Sequence, residues 1–195
     1  MKNTSKIRRV TILAMLSALT ILLAYIPQLG FITLGPLSIT ILHIPVLISA
    51  MLYGVFGGVF MGTVFGVSSW IISQIRGGVL DVLFFNPLIS ILPRILFGLV
   101  AGLLAVIFLN KKISLKKYYF RVPIVGFVAS MIHSFLVLFM IFFVTMEHSF
   151  NPIKMISEFF AFFVIFLGQA GLEALGAAII LLVLARVLIN ISDLR

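Results

Sequence analysis

Cysteine is absent from the 195 residues, which excludes disulfides, thiolate nucleophiles and cysteine-ligated metals. Charge is almost as scarce: 10% of residues are Asp, Glu, Lys or Arg, against 63% hydrophobic. A water-soluble domain carries about 25% charged residues, so this chain lacks the means to cover a water-facing surface. Acids are the scarcer sign, 5 against 14 Lys and Arg, and tryptophan occurs once. The net charge of +9 has no soluble basic face to form on, so nucleic acid is not an expected partner. What is left is a single multi-pass domain, 1–195, in a lipid bilayer. Also missing are G-x-x-x-x-G-K-[ST], HExxH and a carboxylate pair on one helix. Nucleotide binding, zinc-dependent hydrolysis and aspartyl chemistry are therefore excluded, and no metal or cofactor is expected.

What is present is long apolar sequence. Between Arg9 and Arg76 no Asp, Glu, Lys or Arg occurs, which leaves room for three spans of roughly 20 residues each. Pro27, Gly35 and Pro36 separate the first, 10–26, from a second beginning near Ser38 and reaching about Tyr53. Gly54, Gly57 and Gly58 separate that from a third, 57–75. The stretch 76–93, with Gly77, Gly78, Asp81, Asn86, Pro87 and Pro93, reads as a loop with a short helix. Further spans follow at 93–109, 122–145 and 159–188, with the basic segment 111–121 outside the membrane and 146–157 a polar connection. The expected fold is thus an all-α integral membrane protein of six transmembrane helices. Eleven of the 14 lysines and arginines fall on one side of that layout, which places the N and C termini in the cytoplasm.

Small residues recur at helical spacing: Gly54, Gly58, Gly62 and Gly66; Gly98 and Gly102; Ala14 and Ala18; and the set Gly168, Ala170, Gly171, Ala174, Gly176, Ala177 and Ala178. Residues four apart make a smooth strip that a second helix can approach closely. In spans three, four and six the expected use is packing within the bundle. On the first span the strip either packs inside or faces another protein.

Ionisable groups within a membrane are costly, so each asks for a reason. Arg94, directly after Pro93, is either a fixed cation for a substrate or a snorkelling headgroup contact. Glu173, one turn after Gln169, either binds substrate or pairs within the protein, and Gln169 can simply bridge helices. His133 and His43 are read first as packed histidines. Trp70, near Phe65, is an interfacial anchor or a stacking platform. Asn86 lies in the loop before the fourth span. Ser69 with His133 would suit an intramembrane serine hydrolase, but the sequence reads GVSSW and carries no G-x-S-G.

The runs GPLSITILHIPVLISAMLYGVFGGVFMGTVFG and NPLISILPRILFGLVAG, in a six-span chain of this size, resemble the substrate-binding S component of energy-coupling-factor vitamin transporters. The resemblance covers essentially the whole chain. It implies a bacterial plasma-membrane protein that binds a water-soluble vitamin from outside. It also implies a transmembrane T component and two ATP-binding cassette ATPases as partners. The family docks its T component on an A-x-x-x-A strip of the first helix, here Ala14 and Ala18. Its pocket lies among helices four to six under the 1–2 and 3–4 loops, which selects Arg94, His133, Gln169 and Glu173, with Phe65, Trp70 and Asn86 nearby. The LPR segment is most like the branch for pantothenate, pyridoxine or hydroxymethylpyrimidine. A fixed cation suits a carboxylate, so pantothenate leads. Pyridoxine is the better fit if Glu173 is ionised in the pocket, and riboflavin if Trp70 stacks on the ligand.

Overall fold

The computed structural model describes residues 2–26, 30–34, 37–76, 81–109, 113–145 and 152–193. Pro27, Gly35, Pro36, Gly77, Gly78, Lys111, Lys112 and Arg195, which entered the span and charge readings, lie outside the described residues. In chain order the elements are α1 (Lys2–Tyr25), β1 (Phe31–Leu34), β2 (Leu37–Thr40), α2 (Ile44–Arg76), a 3-10 turn (Asp81–Phe85), α3 (Pro87–Ser90), α4 (Leu92–Phe108), α5 (Leu115–Thr145) and α6 (Pro152–Asp193).

The fold is helical, as the all-α class expects, with one short strand pair added to it. β1 and β2 form an antiparallel hairpin with Phe31 opposite Thr40 and Leu34 opposite Leu37. The second predicted span therefore does not start at Ser38, which is in β2; its helix starts at Ile44. Ile32, Thr33, Ile39 and Thr40 supply the β-branched side chains that favour extended backbone. Pro45 then sits in the first turn of α2, where its missing N–H costs nothing.

Among the described residues five helical stretches are long and apolar enough to cross a membrane: Lys6–Tyr25, Ile44–Arg76, Pro87–Phe108, Leu115–Val144 and Leu167–Ile191. The second of these holds both the second and the third predicted spans. It is not one rod. Gly54 has φ 63° and ψ −146°, a conformation only glycine adopts readily. Beyond it the chain folds back, so that the Ser49 hydroxyl donates to the Gly57 carbonyl at 3.0 Å. Residues eight apart on a straight helix lie about 12 Å from each other along its axis.

The glycine strip of α2 packs as its spacing foretold. A Cβ on Gly58 would strike the Gly98 carbonyl, and one on Gly98 the Gly58 carbonyl; Gly62 lies against Arg94 and Gly102 against Val55. The two backbones touch because no side chain stands between them. Helix six meets the same expectation through its alanines and not through its glycines. Gly168, Gly171 and Gly176 have nothing within 4 Å of where a Cβ would be. Its buried line is Ala170, Ala174, Ala177, Leu181 and Ala185, one helical face.

The longest helices overshoot the predicted spans. α6 has 42 residues, about 60 Å of helix against a hydrocarbon core of about 30 Å. It already covers residues 152–157, read from sequence as connection. Likewise Leu115–Arg121, read as lying outside the membrane, forms the first turns of α5, and Arg121 there donates to the Phe108 carbonyl at 3.1 Å. α1 packs against α2 through Leu13, Thr20 and Ala24, all buried, and Ser17 reaches Met61. Ala14 and Ala18 point the other way and are exposed.

Candidate functional site

The start of α4 follows a short ladder of capping interactions. Asn86 caps α3, its Oδ1 accepting from the Leu88 N–H at 2.9 Å, and Pro87 opens that helix. The Ser90 hydroxyl donates to the Phe84 carbonyl at 2.6 Å, and Pro93 sits in the first turn of α4. With the backbone held on both sides, Arg94 emerges inward. It is 5% exposed, so it does not snorkel. Its Nη1 donates to the Ile89 carbonyl, and its Cζ lies 4.9 Å from the Phe84 ring centre and 5.5 Å from that of Phe65, within cation–π range. Its Nε has no hydrogen-bond partner.

Phe65 joins the arginine to an aromatic cluster. Its ring centre lies 5.7 Å from that of His133, and Phe97 lies 4.7 Å from His133. His43 stacks on His133 at 5.6 Å with the ring planes 16° apart. Both histidines are buried, and no hydrogen bond reaches a nitrogen of either ring. The Thr40 backbone is close enough to act on His43, but not in bonding geometry.

Glu173 stands across from Arg94 and acts on it through space. Its carboxylate is well supplied with donors. Oε1 accepts from the Thr40 N–H at 2.9 Å, Oε2 accepts from the Ser134 hydroxyl at 3.3 Å, and the Gln169 side chain bonds it as well. The first of these ties β2 to α6, so the hairpin is anchored over the same region.

The structure thus brings Arg94, Phe65, His133, Gln169 and Glu173 together from α2, α4, α5 and α6. It gives the other two named residues different work. Trp70 donates from Nε1 to the Phe85 carbonyl at 3.0 Å, pinning the 3-10 turn to α2. Asn86 spends its carbonyl oxygen on the α3 cap. The hydrolase pair does not form, since neither nitrogen of His133 meets a hydroxyl. The sequence alone does not single out Thr40, Ser130, Ser134, Phe84 or Phe97, and it reads His43 as packing. The Ser130, His133, Ser134 spacing on one face of α5 was the available signal.

A family model described as ECF transporter, substrate-specific component, matches residues 8–188. No curated protein matches the chain.

Proposed function

The chain belongs to the substrate-specific component family of ECF transporters, and from that premise we propose that its substrate is pantothenate, held by its carboxylate on Arg94. Membership makes it the substrate-binding subunit of a multi-pass importer, working with a T component and two ATPases, which hydrolyse the ATP. The substrate itself is read from the site.

One observation carries the reading: both oxygens of the carboxylate in the site have protein donors, while the Nε of the guanidinium has no acceptor. Glu173 accepts from Thr40, Ser134 and Gln169, so its oxygens are already supplied with donors from the protein itself. Arg94 keeps an unpaired Nε–H in a dry setting, and its planar fork matches a carboxylate in two-point contact. An anionic head is therefore the better complement than a basic ring.

The layout supports six crossings with both termini in the cytoplasm, counting the two halves of α2 separately. Arg9 lies 4.1 Å over the Phe56 ring, Gly54 abuts Val106, and Arg121 meets Phe108, so these cations share one end of the bundle. Arg94, the hairpin and the Arg76–Asp81 pair at 4.0 Å belong to the other end. The cation-rich end is the cytoplasmic one, and the site then faces outside.

Mass spectrometry of the small molecule released from the purified protein tests the substrate. Pantothenate, or a close hydroxylated carboxylic acid, is the expected species. Release of pyridoxine or riboflavin would reject the carboxylate reading and leave family membership intact.

A further inference from the structure

Buried polar atoms without a partner are rare in folded proteins, and each asks for an explanation. Among the described residues six such side-chain atoms occur: both ring nitrogens of His43, both of His133, Nε of Arg94 and Oγ of Ser130. They are not scattered. His43 stacks on His133, Phe65 touches both His133 and Arg94, and Ser130 lies one turn before His133 on α5. Leaving one such group unpaired in an apolar interior costs its desolvation with nothing in return, and an apolar side chain of similar shape would avoid that cost. Leucine or phenylalanine at position 43 would fill the space between Phe97 and His133 without it.

We infer that His43 and Ser130, together with His133, are substrate-reading residues: the stacked imidazoles and the hydroxyl recognise hydroxyl or amide groups on the tail of an acid whose carboxylate Arg94 holds. A neutral imidazole offers one donor and one acceptor, and a serine hydroxyl offers both. Two imidazoles and a hydroxyl therefore suit a tail that is itself both donor and acceptor, and they penalise a plain hydrocarbon chain. A site built to bond such groups rejects an analogue lacking them far more strongly than an apolar pocket does. The inference rests on the carboxylate reading for Arg94 but makes a separate claim about the other end of the ligand.

The test uses the full-length protein in detergent with pantothenate as probe. The chain has three histidines, so 15N-imidazole resonances can be assigned by substitution. Adding pantothenate to the wild type is expected to move the signals of both His43 and His133. By calorimetry His43→Phe and Ser130→Ala are each expected to bind pantothenate at least about tenfold more weakly, and His43→Gln to recover part of the loss. The melting temperature of ligand-free His43→Phe is expected to equal or exceed that of the wild type, which a merely structural histidine would not produce together with lost affinity. Unmoved histidine signals, or unchanged affinity in both His43→Phe and Ser130→Ala, would overturn the inference even if pantothenate binds. If the wild type binds pyridoxine and not pantothenate, the carboxylate reading fails, and the same signals and variants decide the role of His43 with pyridoxine. Binding of neither overturns both.

Discussion

Arg94→Ala is expected to weaken pantothenate binding by about 2 kcal/mol or more, roughly thirtyfold in Kd. The size follows from burial. Arg94 is 5% exposed, and water reaches it too little to replace a lost partner, so truncation leaves the ligand's carboxylate desolvated and unpaired. The loss should be larger than for an exposed ion pair, which is worth at most about 1 kcal/mol. Arg94→Lys should restore only part of the affinity. An ammonium is a point charge on a flexible stem and cannot keep the two-point geometry or the planar contact with Phe65 and Phe84. Isothermal titration of the three proteins measures this. Unchanged affinity in Arg94→Ala would remove the residue from the site.

The second large effect is on transport and leaves binding alone. Ala14→Trp or Ala18→Trp is expected to abolish vitamin uptake by cells and co-purification with the T component, while pantothenate affinity in detergent stays at the wild-type value. Both alanines are exposed, and α1 meets the bundle through Leu13, Ser17, Thr20 and Ala24. An indole at either position therefore has no internal neighbour to displace. It would stand on the outer strip and hold a partner helix away, forfeiting the dense contacts that drive association in lipid. Uptake assays and pull-downs with the assembled transporter separate the outcomes. Normal uptake would mean that this face of α1 is not the docking surface. Loss of pantothenate binding would mean that the change propagates into the bundle.

Where local pattern and final contact coincide, the sequence was legible. Glycines spaced by four produced the Gly58–Gly98 contact because the spacing itself makes the strip. The Pro93–Arg94 pair was readable as a held cation because proline constrains the backbone next to it. Residues whose role depends on a distant partner were not. His43 resembles any packed histidine until α5 brings His133 to it, 90 positions along the chain. The hairpin of β1 and β2 was missed because strands this short carry almost no periodic signal. For Trp70 and Asn86 the contacts that the structure shows are local ones. Their residue types suggest stacking and polar recognition, but both meet local backbone first, at Phe85 and Leu88. On α6 the glycines and alanines looked alike in sequence, and only the alanine face is turned inward.

On this account a buried guanidinium, not Glu173, selects the substrate by its charge. The most direct measurement is a pair of calorimetric titrations of the wild-type protein, one with pantothenate and one with the same molecule whose carboxylate has been converted to a primary amide. The expected result is tight binding of pantothenate and at least about tenfold weaker binding of the amide, since a charge-assisted contact worth about 1.5–3 kcal/mol is lost. Equal affinity for the two, or preference for the neutral amide, would contradict it.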